Sequence, residues 1–321
     1  MKGSYKIIVQ NSNVRYEFEI RRNITIIKGD SATGKTTLVE MIGEFYENGT
    51  SSGIELFCEK NCSVLSGRNW KVALDTMKEE IIFIDEGNAF VYSTEFARAV
   101  QESDNYYVIV TREGLVNLPY SVEEIYGIRE SGKYAALKQT YNELYHIYGE
   151  TDFHEKIKPE KVIVEDSNSG FEFFKGIAEK EKCVVISANG KSNIFEKVLQ
   201  STGEEKVLVI ADGAAFGSEM DRMVKLLKRR KNIVLYLPES FEWLILKSDV
   251  LDDREVRLIL QTPVQYIDSK HFLSWERYFT ALLIEKTKGS YLQYTKKKLN
   301  PVYLQANEQK KICGQMEQIE L

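Results

Sequence analysis

The sequence predicts an α/β protein made of two successive sheet-and-helix units, and three observations carry that expectation. Strands of four to six apolar residues alternate with amphipathic helices through both halves, the pattern of a mainly parallel sheet covered on both faces. A glycine-bearing loop, GDSATGKTT at 29–37, joins an apolar strand directly to a helix. A polar segment at 151–160, TDFHEKIKPE, contains Pro159 and separates the first run of alternation from the second. The expected units are residues 1–150, a smaller α/β unit at 160–248, and a mostly helical region at 249–321.

The elements follow in order. KIIVQ and VRYEFEI flank a polar NSN turn and read as a hairpin, which adds an antiparallel part to the sheet. ITIIK then runs into the glycine loop, with a helix predicted over 35–45. IELFCE reads as a strand, KVALDTMKEE as a helix, and EEIIFIDEG as a buried strand ending in two acids. STEFARAVQES is a helix with Ser93 as its cap, and YYVIVT at 106–111 is the next buried strand. The tyrosine-rich stretch 134–150 predicts an amphipathic helix with Tyr141, Tyr145 and Tyr148 on one packed face. In the second half, 162–166, 184–188, 206–212 and 232–238 are strands with three helices between them, and the tail around 271–299 is expected to be mostly helical.

Composition limits the functional classes. With 43% hydrophobic and 28% charged residues the chain reads as globular, and 321 residues are ample for two domains. No apolar run is long enough to span a membrane, and the start MKGSYKIIVQ lacks the pattern of a secretion signal, so a cytoplasmic protein with no membrane partner is expected. A net charge of −5 argues against non-specific coating of nucleic acid. Two local basic runs, 225–231 and 296–298, read as solvated faces or as phosphate-binding surfaces for DNA or RNA. Cys58 and Cys62 are separated by three residues with no histidine near them, which favours buried or idle thiols over a zinc site.

The loop carries the sharpest chemistry. Gly29, Asp30, Ser31, Ala32, Thr33, Gly34, Lys35, Thr36 and Thr37 form a G-x-x-x-x-G-K-T signature between strand and helix, where backbone N–H groups and the helix start face an anion. Lys35 should reach β- and γ-phosphates, and the Thr36 hydroxyl should ligate magnesium. Asp85, ending the strand IIFI, is the second magnesium-associated group, and Glu86 beside it is the candidate catalytic base. Thr111 and Arg112 follow the strand at 106–110, where a polar group can sense the γ-phosphate and an arginine can neutralise developing charge. The alternative for Arg112 is a surface pair with Glu113 or Glu102.

These two motifs resemble those of P-loop ATPases of the ATP-binding-cassette and AAA-type branch. The resemblance implies ATP with magnesium, hydrolysis that drives a shape change, and partners that include a second copy or another protein. No NKxD-type guanine motif and no LSGG-type signature is present; LSGR at 65–68 lies too early.

The second α/β unit resembles a TOPRIM domain of the kind found in nucleases of the overcoming-lysogenization-defect family. Glu165 after its first strand, Gly190 after the second, Asp212 after the third and Glu242 after the fourth carry the likeness. It implies a divalent-metal site built on Glu165 and Asp212. Where the family has D-x-D this chain has Asp212-Gly213-Ala214, and Glu219 or Asp221 could substitute for the second acid. Gly213 and Gly217 allow close approach of a ligand or of neighbouring backbone. The expected function is an ATP-binding protein, a weak magnesium-dependent ATPase coupled to a carboxy-terminal effector or interaction unit. The alternatives are an ATP-regulated nuclease and a non-catalytic, nucleotide-gated assembly protein.

Overall fold

The computed structural model describes residues 1–29, 33–131, 139–148, 157–178, 183–317 and 319–321. By internal contacts the chain divides into a first unit, Met1–Gly149 with Thr262–Leu273, and a second, Glu150–Gln261 with Ser274–Leu321. The region 249–321, read from the sequence as one mostly helical region, is divided between the two units. Thr262–Leu273 belongs to the first unit because it is pinned there: the Ser269 N–H donates to the Met1 carbonyl at 2.8 Å and the Gly3 N–H to the Val264 carbonyl at 2.9 Å.

The first unit holds one nine-stranded mixed sheet. Its strands are β1 (Tyr5–Gln10), β2 (Val14–Ile20), β3 (Ile24–Ile27), β4 (Glu55–Phe57), β5 (Cys62–Val64), β6 (Ile81–Ile84), β7 (Tyr106–Val110), β8 (Ile125–Glu130) and β9 (Thr140–His146). They lie in the order β4-β1-β2-β9-β8-β3-β7-β6-β5. The β8-β3-β7-β6-β5 portion is parallel, while β1 pairs antiparallel with both β2 and β4.

The two edge strands are joined by only four residues, Cys58–Asn61. So short a link spans at most about 19 Å, whereas nine flat strands would separate their edges by about 38 Å. The sheet must therefore coil until its edges approach each other. Inside the coil sits α1 (Lys35–Asn48), whose Leu38, Val39, Met41 and Ile42 are buried in one core with Ile7 and Val9 of β1 and Phe83 and Val108 of β6 and β7. The opposite face of β6 and β7 is covered by an aromatic group from α2 (Trp70–Thr76), α3 (Thr94–Glu102) and the turn between them. Trp70 stacks on Phe90, and Phe96 meets Tyr107 edge-on. Ser93 caps α3 by accepting the Phe96 N–H at 3.1 Å.

One expected element is a different structure. The tyrosine-rich stretch forms β9 over Thr140–His146, antiparallel to β8 and parallel to β2, not a helix; 134–138 and 149–150 lie outside the described residues. The spacing of Tyr141 and Tyr145 suits both periods, and the exposed backbone edges of β2 and β8 decide for the strand. The arginines of those partner strands lie over the two rings, Arg15 over Tyr141 and Arg129 over Tyr145.

The second unit has a four-stranded parallel sheet of β10 (Lys161–Val164), β11 (Val184–Ser187), β12 (Val207–Ile210) and β13 (Ile233–Tyr236) in the order β11-β10-β12-β13. Helices α4 (Ser169–Ala178), α5 (Lys191–Leu199) and α6 (Met220–Arg229) connect the strands. Then come α7 (Phe241–Lys247), α8 (Arg254–Gln261), α9 (Trp275–Thr287) and α10 (Ala306–Cys313). The tail is less helical than expected. Gly289, at φ +72°, follows the end of α9, and the chain then runs without helix to Asn300. That stretch is fixed by the Tyr294 N–H on the Thr287 hydroxyl at 2.9 Å and the Tyr303 hydroxyl on the Leu292 carbonyl at 2.6 Å.

Candidate functional site

The carboxyl ends of β3, β7 and β6 lie side by side on one edge of the first sheet. Ile27 is level with Val110, and Ile84 with Ile109. The loop that begins after β3, the Thr111-Arg112 pair after β7 and the Asp85-Glu86 pair after β6 therefore open on the same edge, with β7 in the middle. In open α/β sheets this edge is where ligands bind.

Asp30, Ser31 and Ala32 lie outside the described residues. Gly29 has φ +142° and Gly34 φ +84°, a conformation that side chains rarely adopt. At Gly34 a Cβ would also stand 2.7 Å from the Tyr16 hydroxyl oxygen. Lys35, the first residue of α1, is only 5% exposed, and its ammonium donates to the Gly29 carbonyl and the Thr33 hydroxyl, both at 2.9 Å. The lysine thus folds back over the loop and ties its two ends. Thr36 and Thr37 are exposed on the first turn of α1. Gly34 is the cap residue of this 14-residue helix, and no side chain caps it. The N–H groups and the dipole at a helix start favour an anion at this end.

Tyr16 was not legible as a site residue. It is buried on β2, and its hydroxyl donates to the Gly34 carbonyl at 2.8 Å and hydrogen-bonds the Thr37 side chain. Burial raises its pKa despite the Thr37 contact. The available signal was the alternation of VRYEFEI, which puts Tyr16, Phe18 and Ile20 on the inward face; nothing in that pattern shows that the loop lies there.

Asp85 directly follows β6, and its Oδ1 is buried with no hydrogen-bond partner. A buried carboxylate oxygen left in this way is costly unless a cation or donor meets it. Glu86 and Arg112, expected to act separately on the reacting phosphate, are each other's partner: Arg112 Nε lies 2.6 Å from Glu86 Oε1. Arg112 pairs neither with Glu113 nor with Glu102; Glu102 takes Arg98. Thr111 is buried, and its hydroxyl is held in a local turn by the Glu113 carbonyl and N–H and by the Tyr92 hydroxyl at 3.1 Å.

The second unit gathers a different set. Its strand order reverses between β10 and β12, and Glu165 and Asp212 follow those two neighbours. Asp212 donates its backbone N–H to Glu165 Oε2 at 3.1 Å. They open on a small cleft lined also by Asp166, Phe174, Pro238 and Phe241. Asp166 caps α4 instead of extending the strand, accepting the Asn168 and Gly170 N–H groups at 2.8 and 2.9 Å. The Gly190 N–H donates to the Glu165 carbonyl at 2.9 Å. Glu242, in the first turn of α7, is 1% exposed; its Oε1 accepts the Tyr294 hydroxyl at 2.8 Å while Oε2 has no partner.

A lysine sits among these acids. Lys296 Nζ lies 2.7 Å from Glu276 Oε1 and 3.6 Å from Glu242 Oε1. Burial alone would lower its pKa, but Glu242, Glu276 and Asp212 outweigh that and raise it. Burial and the nearby Glu276 and Glu165 carboxylates hold Asp212 well above the usual carboxylate range. Glu165 is pushed up to about 7, mainly by burial and then by Glu276, against the Asp212 N–H, Lys191 and Lys296. The run 296–298, expected at the surface, therefore turns its first lysine inward. In 225–231, Lys225, Lys228, Arg229 and Lys231 are exposed, while Arg230 is tied to the Val198 and Ser201 carbonyls at 3.2 Å.

The Asp212-Gly213-Ala214 segment is packed against neighbouring backbone. Ala214 is buried, and a Cβ on Gly213 would meet the Leu237 carbonyl at 2.7 Å, so the close approach at Gly213 is to neighbouring backbone. Glu219 is buried beside Arg222 at 3.3 Å. Among the described residues no group of three or more His, Cys, Asp or Glu side chains could hold a metal ion. That bears on an all-protein cage; magnesium on a nucleotide needs only one or two protein groups beside the phosphates. No helix among the described residues is long and apolar enough to cross a membrane. No protein-family model matches the chain, and no curated protein matches it at a significant level.

Proposed function

We propose that the first unit binds ATP with magnesium and hydrolyses it slowly, and that the nucleotide state is passed to the carboxy-terminal unit as effector or interaction partner. The observation that carries this reading is the pairing of two features on one sheet edge. Lys35 is buried across the ends of a glycine loop, and the buried Asp85 oxygen has no partner. The choice of ATP rests on the resemblance to P-loop ATPases.

The chain's own residues have defined tasks in this reading. The N–H groups at the start of α1 hold phosphate oxygens, and Lys35 exchanges the Gly29 carbonyl and Thr33 hydroxyl for the β- and γ-phosphates. Thr36 and Asp85 would hold magnesium, which screens phosphate charge when bound. Glu86 orients the attacking water and receives its proton, but only after Arg112 releases it. Arg112, once free, is in position to neutralise charge on the γ-phosphate. A base that begins in a 2.6 Å ion pair accounts for slow turnover.

A metal-dependent nuclease in the second unit gains little support, because Lys296 already supplies positive charge among the acids. The test is magnesium-dependent phosphate release by wild type and Lys35→Ala, with and without DNA and RNA examined on a gel afterwards. The proposal expects slow release that falls at least about 10-fold in the variant, with nucleic acid left intact. Phosphate release unchanged by Lys35→Ala would refute it, and cleavage lost in Glu165→Gln would restore the nuclease reading.

A further inference from the structure

The basic run 225–231 lies at the far end of the second sheet from Glu165 and Asp212. Helix α6 starts beyond Asp212, runs back along the sheet and ends at Arg229, just before β13 begins parallel to β12. Its last turn therefore sits at the amino edge of the strands. One side of α6 is spent on the core, where Met220, Met223 and Leu226 are buried. The other side carries Arg222, Lys225, Lys228 and Arg229, all exposed, and Lys231 follows the helix end. Arg222 is engaged, 3.3 Å from Glu219 and over the Phe195 ring. Lys225, Lys228, Arg229 and Lys231 make no ion pair among the described residues. Exposed cations elsewhere do: Lys71 takes Glu95, Arg98 takes Glu102 and Arg129 takes Glu143.

We propose that this row of cations is a docking surface for the phosphate backbone of a nucleic-acid duplex, gripped without reading its sequence. It names the partner of the carboxy-terminal unit in the proposed function, and it places that partner away from the acids around Lys296. The row is presented on a fixed element. Within the run Arg230 turns inward and fastens the helix end to the Val198 and Ser201 carbonyls, both at 3.2 Å. The Asn232 amide donates to the Glu205 carbonyl at 2.6 Å, and the Glu205 carboxylate lies 3.5 Å from Lys161, not beside the row.

Three physical points select the occupant. The helix dipole favours cations in the last turn, which accounts for Lys228 and Arg229 but not for Lys225 a turn earlier or Lys231 beyond the end. Lys225 to Lys231 spans roughly 9 Å at the helical rise, longer than one small anion and matched by a polymer with roughly one charge per 1.7 Å of axis. A helix that lies on a membrane also exposes apolar side chains to the lipid. None of the large apolar side chains exposed among the described residues belongs to α6. The same observation leaves no aromatic on this face to stack the bases of a single strand, so the contact is to backbone charge.

The test titrates the full chain into short labelled DNA and RNA duplexes and reads fluorescence anisotropy, without ATP or magnesium, so that this proposal and the ATP reading can fail separately. Binding of either duplex is expected, and the tighter one names the source of the backbone. With four phosphate contacts, raising salt from about 50 to about 200 mM should weaken DNA binding about 100-fold. Duplexes of unrelated sequence should bind within about 2-fold of each other. Changing Lys225, Lys228, Arg229 and Lys231 together to Gln should weaken binding at least about 10-fold and flatten the salt dependence. A thermal melt checks that this variant folds; Lys225→Gln and Lys228→Gln, each expected to cost about 2- to 4-fold, keep the test open if it does not. Binding unchanged in the fourfold variant, no binding of the wild type at the lower salt, or tighter binding to phosphatidylserine vesicles than to either duplex would overturn the proposal.

Discussion

At the carboxyl edge of the first sheet, Asp85 keeps a buried oxygen with no partner, and no ion pair reaches it among the described residues. At the corresponding edge of the second sheet, Glu165, Asp212, Glu242 and Glu276 surround a cation that the chain itself provides. Both edges belong to parallel strands, and both collect acids where ligands usually bind. The difference is in what balances the charge. The first edge has a helix start that no side chain caps, a lysine bonded to both ends of the glycine loop, and a carboxylate oxygen with no partner. The second has Lys296, with Tyr294 satisfying Glu242 from the other side. One edge keeps an unmatched carboxylate oxygen, and the other is balanced by the chain's own lysine.

The largest effect should come from removing the internal cation. Lys296→Met leaves Glu242 and Glu276 without their ammonium, and a broken, partly buried pair of this kind costs about 3 kcal/mol. Denaturant unfolding at pH 8 should show that loss. The sign with pH follows from the raised carboxyls. Glu165 ionises near 4.5 when unfolded but at about 7 when folded. Its adverse contribution is therefore absent below the lower value, grows as pH rises between them, and is complete above about 7. Asp212 shifts in the same direction. The variant should recover much of its stability at pH 5, and an equal deficit at both pH values would mean that Lys296 is not neutralising these acids.

A smaller effect is expected at the first edge. Tyr16→Phe removes the hydroxyl that bridges the Gly34 carbonyl and the Thr37 side chain, a loss of about 1 kcal/mol. If Tyr16 holds the loop for nucleotide, ATP affinity should fall about 3- to 10-fold as well; a change in stability with unaltered affinity would make it a packing residue alone.

Much of this was readable beforehand because it is local. The strand–loop–helix at 24–48, the Ser93 cap and the alternation of four strands and three helices after 160 depend on neighbours in sequence, and the structure has them. What was hidden is long-range. Tyr141 and Tyr145 became part of a strand because β2 and β8 offered edges more than a hundred and about fifteen residues away, respectively. The inward turn of Lys296 depends on Glu242 and Glu276, which its own polar run does not announce. The pairing of Arg112 with Glu86 needed the strand order, because the residues are adjacent only through β6 and β7. The approach of the two edge strands, β4 and β5, likewise appears only when the sheet is seen to coil.

In the proposed function, Asp85 is the acid that completes a magnesium–nucleotide site. Calorimetric titration of ATP into wild type and Asp85→Asn, each with and without magnesium, tests that most directly. The prediction is that magnesium tightens ATP binding to the wild type by at least about 10-fold, a coupling of about 1.4 kcal/mol, and that Asp85→Asn binds ATP alike in both conditions. Magnesium-dependent tightening that survives in Asp85→Asn, or a wild type that binds no ATP, would contradict it.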